Sequence, residues 1–341
     1  MTVREWDAAA APAAEIRAVL ATLNAALDAD LPDDPRWADR NVREYLTELM
    51  PGERRVCWLA EDDQPAAGDG PRVHGHANIL LLGDIGVVEV VVHPTARQRG
   101  VGRALVTEAV RRAAAGGVSS VGVEVVEGTP AMAFWGALGF RCAYVEMRSV
   151  LDLSGVDWEA IAALAASPPS GYRVEHHRAC LPDHLLEPYA ATKAARQEAG
   201  PPDLDLRPSS YDARRLAASL DTLNRRGMRP YVVLAVHEQS GVVAALTEVV
   251  APSQRPTRAD QYDTIVAPAH QGLGLEGVIK TRMLCELRAA EPQLEQVQTW
   301  NALERDPMAG VNAELGFRPD RRWCEYDADV SDLSRRLGIA G

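Results

Sequence analysis

The residues that suggest chemistry most directly lie in one turn, where a valine-rich stretch meets a helical pattern. The segment VVEVVVHPTARQRGVGRALV contains three arginines and two glycines near this junction: Arg97, Arg99, Arg103, Gly100 and Gly102. A glycine-rich turn that opens a helix leaves backbone N–H groups unpaired, and the helix dipole adds partial positive charge there. With the arginine charges, the pattern predicts an anion site, most naturally for phosphate. The alternative is a solvated basic turn that only caps the helix.

Two common phosphate-binding motifs do not account for this turn. A P-loop requires GxxxxGK[ST], which the sequence lacks. The Rossmann fingerprint requires glycine or alanine three residues after Gly102, where Leu105 stands. The second half contains a literal GxGxxG at residues 272–277, but Pro268 separates it from the preceding strand pattern. Dinucleotide binding is therefore disfavoured.

The sequence repeats this region in its second half. A constant separation of 174 residues relates three pairs: Pro94 and Pro268, Gly100 and Gly274, and Glu89 and Asp263. Further on, FWGALGF at 134–140 corresponds to GVNAELGF at 310–317. Two motifs repeated in the same order imply a duplicated domain.

Each half has the same succession of patterns. Helical stretches at 14–29 and 210–225 precede alternating or apolar strand patterns, then the glycine turn, a helix and a further strand. The segment SGVDWEAIAALAASPPSGYR changes from a helical pattern to a Ser-Pro-Pro-Ser-Gly stretch. We therefore predict an α/β fold with a mixed sheet, divided into domains at 1–153 and 172–341 and a linker at 154–171.

Composition excludes several classes of function. The 341 residues are 47% hydrophobic and 25% charged, with a net charge of −12, which is typical of a globular protein and argues against nucleic-acid or membrane-surface binding. Five cysteines without a CxxC motif favour a reducing cytoplasm, and no apolar run approaches the length of a membrane span. His74 and His76 alternate along one strand pattern, but no acidic third ligand is near, so no metal site is predicted.

A family resemblance rests on the turn itself. Residues 97–102, Arg-Gln-Arg-Gly-Val-Gly, match the [Q/R]xxGx[G/A] acyl-CoA loop, and with the Val-His-Pro lead-in and the ALGF stretch the chain resembles the GNAT N-acetyltransferase superfamily. The duplication is similar to tandem GNAT proteins of the mycothiol synthase type. The resemblance implies acetyl-CoA as co-substrate. It also implies loop amides on the pyrophosphate and a splayed strand whose N–H groups bind the acetyl carbonyl. The implied residues are Val90, Val91, Val92, Arg97, Gln98, Arg99, Gly100, Val101, Gly102 and Arg103.

The second half departs from this motif. Glu276 stands at the final Gly/Ala position, and Leu273 replaces Arg99. A carboxylate facing a pyrophosphate is repelled, so we expect the first half to bind acyl-CoA and the second to bind it weakly or not at all. The alternative is that Glu276 turns outward and the second site still works. Mycothiol synthase-type proteins usually use the second half, which puts mycothiol synthesis in doubt for this chain.

Two carboxylates are candidates for the general base of the implied reaction. Glu89 lies on the strand before the loop between valines, where apolar surroundings would raise its pKa, and Glu124 lies on the next strand. The alternative for Glu89 is an ordinary strand residue facing solvent. The family's usual acid is a tyrosine five residues before the GF phenylalanine. Trp135 and Asn312 hold that place here, and neither can donate the proton.

These observations predict an N-acetyltransferase that moves acetyl from acetyl-CoA to a primary amine of a small molecule. The partners expected are that amine, neither nucleic acid nor membrane, and at most a second copy of the chain in a homodimer. One alternative is a non-catalytic acyl-CoA or metabolite-binding protein, which the missing tyrosine favours. Others are a mycothiol synthase-like enzyme with an active C-terminal domain and a protein N-terminal acetyltransferase. The segments 31–46 and 197–212 are expected to wall the acceptor pocket.

Overall fold

The computed structural model describes residues 1–62, 73–197, 212–303 and 308–339. Within these ranges the strands are β1 (Thr2–Trp6), β2 (Arg54–Glu61), β3 (Val73–Leu82), β4 (Ile85–Val92), β5 (Ser120–Val126), β6 (Arg141–Asp152), β7 (Tyr172–Arg178), β8 (Met228–His237), β9 (Val243–Pro252), β10 (Arg258–Val266), β11 (Gln296–Ala302) and β12 (Arg318–Asp329). The α-helices are α1 (Ala13–Asp30), α2 (Val42–Thr47), α3 (Val101–Ala115), α4 (Pro130–Leu138), α5 (Trp158–Ala165), α6 (Asp183–Gln197), α7 (Ala213–Arg225), α8 (Leu275–Ala290), α9 (Met308–Glu314) and α10 (Val330–Leu337).

Contacts divide the chain into two compact units. Unit 1 comprises Met1–Val145 and Arg322–Gly341, and unit 2 comprises Glu146–Arg321. The divisions fall inside β6 and β12 because strand pairing assigns their parts differently. Glu146–Asp152 pairs with β11 in unit 2, and Trp323–Asp329 pairs with β5 in unit 1. The boundaries expected from composition keep each half continuous, whereas strand pairing gives the end of the chain to unit 1.

Unit 1 is a mixed sheet covered by helices on both faces. Strands β1 to β4 are antiparallel neighbours, β4 runs parallel to β5, and β5 is antiparallel to β12. Side chains alternate between faces along a strand. Trp58 and Ala60 join the core that contains α3, α4 and α10 residues, whereas Cys57 and Leu59 join the core that contains α1. Adjacent residues of one strand therefore hold two different layers.

Helix α3 follows the periodicity seen in the sequence. Its buried residues lie three and four positions apart: Val101, Leu105, Val106, Ala109, Val110 and Ala113. The helix ends at Ala115, and Gly117 then takes a left-handed φ of +72°. Helix α3 therefore stops at the Gly116-Gly117 pair.

Unit 2 repeats this arrangement. Strands β7 to β10 are antiparallel, β10 runs parallel to β11, and β11 is antiparallel to β6. Helices α6 and α7 contribute to the core on one face, and α5 and α8 to the core on the other. The linker segment therefore carries a packed helix, since Ile161 of α5 is buried in the same core as α8. The predicted α/β fold with a mixed sheet is confirmed.

Two further sequence predictions concern a wall of the acceptor pocket and membrane-spanning segments. Most of the segment 197–212 lies outside the described residues, so its suggested role as a pocket wall stays a prediction. Helix α7 begins directly after it, where the Asp212 side chain accepts a hydrogen bond from the Arg215 N–H at 2.7 Å. Among the described residues, none of the helices has the length and apolar character that crossing a bilayer needs.

Candidate functional site

A gap opens between β4 and β5 in unit 1. The two strands pair only from Ile85 to Val87 on β4, opposite Ser120 to Gly122 on β5. Strand β4 nevertheless stays paired with β3 along its whole length, up to Val92 opposite Gly75. A strand directs its backbone N–H groups alternately to its two sides. His93 N–H donates to His74 C=O, so the Val91 amide two residues earlier also points to β3, and of the predicted residues Val90 and Val92 direct their amides into the gap.

The turn after β4 presents a concave run of amides. A single turn of 3₁₀-helix, Pro94–Ala96, leads to Gln98 and Gly100, which both have left-handed φ angles of +60° and +82°. Helical bonding in α3 starts with Ala104 N–H donating to Gly100 C=O at 2.9 Å. Within the described chain, the first-turn amides of Val101, Gly102 and Arg103 therefore have no backbone partner. This geometry suits a phosphate or diphosphate.

Gly102 fits the turn because a side chain there has no room. A Cβ at this position would lie 3.1 Å from Phe134 Cζ and 3.6 Å from Val92 Cγ2. Phe134 comes from α4, so this helix packs directly on the entrance of α3. The glycine lets the first turn of α3 approach both α4 and the end of β4, and a diphosphate fits such a cradle.

The three arginines of the motif have different surroundings. Arg97 donates two hydrogen bonds of 2.7 Å to the carboxylate of Asp30, at the end of α1, and its Nε donates to Val92 C=O at 3.3 Å. Arg103 donates to the Arg336 carbonyl at 3.1 Å. Arg99 is exposed and has no charged partner among the described residues. Arg97 therefore positions the turn, and Arg99 and Arg103 supply its uncompensated charge.

Comparison with known proteins identifies this arrangement. Residues 20–140 match the model of the Acetyltransferase (GNAT) family, a segment that contains the gap and the turn. The chain is also similar to a tandem GNAT protein from the clavulanic acid biosynthesis pathway, solved without AcCoA. The two share 26% identity over 96% of this chain and 98% of that one, with a TM-score of 0.79. A GNAT-family domain therefore lies at residues 20–140, and the whole chain is similar to a tandem GNAT protein.

Other solved structures share the fold at lower identity. A GCN5-related N-acetyltransferase from Sphaerobacter thermophilus is 16% identical over 96% of each chain, with a TM-score of 0.65. The glucosamine N-acetyltransferase region of a fungal multi-domain GH3 β-N-acetylglucosaminidase is 13% identical over 96% of this chain and 38% of that one, with a TM-score of 0.62. These two likenesses concern the fold alone. No curated protein sequence matches the chain.

In unit 1 the two predicted carboxylates flank the gap. Glu89 and Glu124 each lie two residues beyond the last β4–β5 pair, Val87 opposite Gly122. Val88 and Val123 point into the α3-side core, so both glutamates lie on the opposite face, and both are exposed. The apolar surroundings expected around Glu89 are therefore not observed. Two carboxylates at the mouth of one gap form an acidic site.

Glu89 is held by a polar pair on β3. Asn78 lies opposite it and donates from Nδ2 to Glu89 Oε2 at 2.6 Å, while its own Oδ1 is buried without a partner in the described residues. His76 lies two residues along on the same face, with its ring 5.6 Å from that of Trp6. Burial, with a smaller effect from Arg55, lowers the pKa of His76 to about 4, so the imidazole is neutral at neutral pH. Asn78 therefore orients Glu89, and the neutral His76 adds no positive charge beside it.

Trp135 has a structural role at the position of the family tyrosine. Its side chain is 3% exposed and packs edge-on against Phe134 and Phe140, with ring centroids 5.1 and 4.8 Å away. The indole therefore packs against Phe134 and helps to fix its position. It offers no proton to a leaving thiolate.

Unit 2 keeps the backbone of the site. Pairing of β10 with β11 ends at Gln261 opposite Thr299, which opens a corresponding gap. Gly272 and Gly274 have left-handed φ angles of +75° and +73°, at the positions of Gln98 and Gly100. The loss of function predicted for this half therefore depends on its side chains.

Those side chains differ from unit 1 at each chemical position. Asp263, the counterpart of Glu89, lies 3.0 Å from Lys193 Nζ, which also donates to Glu248 at 2.6 Å. Burial alone would lower the pKa of Lys193, but Glu248, Tyr189 and Asp263 raise it well above its usual value, so the lysine stays charged. The carboxylate at the position of Glu89 in unit 2 is thus paired with a buried lysine, which it shares with Glu248.

A second substitution fills the tyrosine position in unit 2. Asn312 is buried, accepts a hydrogen bond from Lys280 Nζ at 2.8 Å and donates to Asn301 Oδ1 at 2.9 Å. Glu276 is half-buried at the start of α8, and Leu273 beside it is 47% exposed. Lys280, Asn312 and the half-buried Asn301 therefore form one hydrogen-bonded polar chain.

Sequence reasoning missed three members of the unit 1 site: Asp30, Asn78 and Arg336. Each acts on a motif residue from a distant part of the chain, and none lies in a recognisable pattern. Among the described residues, no three His, Cys, Asp or Glu side chains form a group able to hold a metal ion.

Proposed function

We propose that this protein is an N-acetyltransferase that moves acetyl from acetyl-CoA to a primary amine of a small molecule, and that unit 1 performs the reaction. One observation carries the proposal: the gap between β4 and β5 joins an anion-binding turn at one end to a pair of exposed carboxylates, Glu89 and Glu124. The negatively charged coenzyme would bind at the turn that follows β4, and the positively charged acceptor would bind near Glu89 on the same strand.

The chemistry follows from the groups around the gap. Acetyl-CoA supplies the acyl group as a thioester. The amides of Val90 and Val92 would donate hydrogen bonds to the carbonyl oxygen as negative charge develops on it. Glu89, directly or through water, takes one proton from the ammonium group, and the resulting amine nitrogen attacks the carbonyl carbon. The C–S bond then breaks, and the second proton of the nitrogen passes through water to the departing thiolate. Positioning both reactants in the gap supplies much of the remaining acceleration.

Charge supports an amine as the acceptor. The net charge of −12 and the glutamates at the gap attract an ammonium group. Asn78 holds Glu89 by a hydrogen bond, and the neighbouring His76 is neutral. These two residues of β3 therefore do not repel an approaching cation. These features favour a small cationic molecule over a nucleic acid or a membrane surface.

A second candidate is a non-catalytic acyl-CoA-binding protein. The burial of Trp135 at the tyrosine position favours it, because the described site then has no side-chain acid near the departing thiol. Both candidates bind CoA through unit 1, and they differ only in turnover.

Thiol release from acetyl-CoA distinguishes them. A panel of primary amines, including aminoglycosides, amino sugars, diamines and short peptides, is incubated with the protein and acetyl-CoA. The proposal predicts release above the uncatalysed rate with at least one small amine. Tight CoA binding with release at the uncatalysed rate throughout would favour the binding protein, and activity on peptides alone would favour protein N-terminal acetylation.

A further inference from the structure

The turn of unit 1 has fewer available cations than its sequence suggests. Arg97 is committed to Asp30, which leaves Arg99 and Arg103 next to the open amides. CoA carries a diphosphate and, on its ribose, a separate 3′-phosphate. The amides and the helix dipole suit the diphosphate, but they extend only through the first turn of the helix. A second phosphate group requires cationic side chains beyond that turn.

The last helix of the chain brings a further arginine to this place. Arg103 Nη2 donates to the Arg336 carbonyl at 3.1 Å, across 233 residues of sequence. The Arg336 side chain crosses Gly139 at the end of α4. A Cβ on Gly139 would lie 2.8 Å from Arg336 Nε and 2.9 Å from its Cζ. The guanidinium therefore lies over the end of α4, while the backbone of Arg336 is bonded to Arg103 from the first turn of α3.

The charge of Arg336 is not compensated. Arg336, Arg103 and Arg99 have exposed side chains, and among the described residues none of the three pairs with a carboxylate. The adjacent Arg335 differs, because it pairs with Asp332 and its side chain is 77% exposed. Three arginines without acidic partners, two of them on the turn and first turn of α3 and the third bonded to Arg103 through its carbonyl, favour a strongly anionic group on a protein of net charge −12.

We infer that Arg336, together with Arg99 and Arg103, binds the 3′-phosphate of CoA. This inference rests on the proposed binding of acyl-CoA by unit 1 and names a residue outside the loop motif as a determinant of coenzyme specificity. It also gives α10 a role, since this C-terminal helix would complete a site whose other parts come from the first 140 residues of the chain.

The test compares CoA with 3′-dephospho-CoA by calorimetry. Arg336→Met keeps the aliphatic packing over Gly139 and removes only the charge, and Arg335→Met is the matched control on the same helix. Loss of one charge-assisted phosphate contact should weaken CoA binding about ten-fold in Arg336→Met. Binding of 3′-dephospho-CoA should stay the same in all three proteins, and Arg335→Met should bind both nucleotides like the wild type.

The outcomes separate this inference from the proposed function. If Arg336→Met weakens CoA and 3′-dephospho-CoA equally, or neither of them, the assignment of the 3′-phosphate is wrong while CoA binding by unit 1 stands. A wild-type protein that binds neither nucleotide would overturn the proposed function and this inference together. Melting curves confirm that each variant is folded before it is titrated.

Discussion

Arg97 shows how a motif residue can take a role that its type alone does not indicate. The loop motif predicts a cation for the pyrophosphate, but the guanidinium is bound at both ends to Asp30, 67 residues earlier in the sequence. Its Nε also donates to Val92 C=O, where β4 ends. Arg97 thus ties α1, β4 and the turn together. The backbone amides and the neighbouring arginines are left to bind the anion.

Gly102 offers a test of the cradle at the scale of a single methyl group. We expect Gly102→Ala to weaken acetyl-CoA binding about ten-fold or more, because its Cβ would lie 3.1 Å from Phe134 and push α3 away from α4. Phe134→Leu in the same background should restore part of the affinity. Calorimetry of the two variants would contradict this account if Gly102→Ala bound like the wild type.

Glu89 is the residue whose removal should separate binding from turnover. A positioned general base contributes about 10² to 10⁴ in rate, so Glu89→Gln should lower kcat/KM for the amine by that factor. Affinity for acetyl-CoA should not change, because Glu89 lies on the face opposite the α3 core. The matched variant is Asp263→Asn in unit 2, which should leave the activity unchanged. Equal losses in both variants would refute the assignment of the reaction to unit 1.

At the scale of elements, the gap was predictable and its supports were not. Local patterns alone predict the strand, the turn and the helix, from the valine run, the His-Pro and the glycines. Residues that complete the site come from α1, β3 and α10, and their contacts depend on how distant segments pack. The pairing of the last strands was not predictable either. Composition does not indicate that β6 pairs with β11 or that β12 pairs with β5.

Strand β3 should make stability depend on pH through His76. The pKa of this buried imidazole is lowered from 6.5 to about 4, so the unfolded chain binds a proton that the folded chain does not. The stabilisation is complete above the unfolded pKa and is lost as pH falls through 6.5 toward 4. Between about pH 7.5 and about pH 5, the wild type should lose about 2 kcal/mol more unfolding free energy than His76→Phe.

Urea unfolding at the two pH values measures this difference. His76→Phe keeps an aromatic ring beside Trp6 and removes the titrating group, so it is a suitable reference. Identical losses of unfolding free energy in the two proteins would show that His76 is not held neutral by burial, and the neutral environment described beside Glu89 would then be incorrect.

At the scale of the whole molecule, a duplicated backbone carries two different sets of side chains. The repeat of 174 residues predicted two copies of one fold, and both units have the gap, the left-handed turn and the helix. The sequence also indicated that the second copy has lost its motif residues. It did not indicate that Lys193 pairs with Asp263 or that Lys280 donates to Asn312 at the tyrosine position, because both are contacts between segments far apart in the chain.

The central claim is that unit 1 alone binds acetyl-CoA, and a matched pair of glycines tests it most directly. Gly100 and Gly274 cap α3 and α8 with φ angles of +82° and +73°, and a Cβ at either would meet no atom within 4 Å. Valine strains both turns equally, since a β-branched residue is disfavoured at positive φ. Calorimetry should show one acetyl-CoA per chain for the wild type and for Gly274→Val, and none for Gly100→Val. Two sites in the wild type, or a loss of binding in Gly274→Val instead, would contradict it.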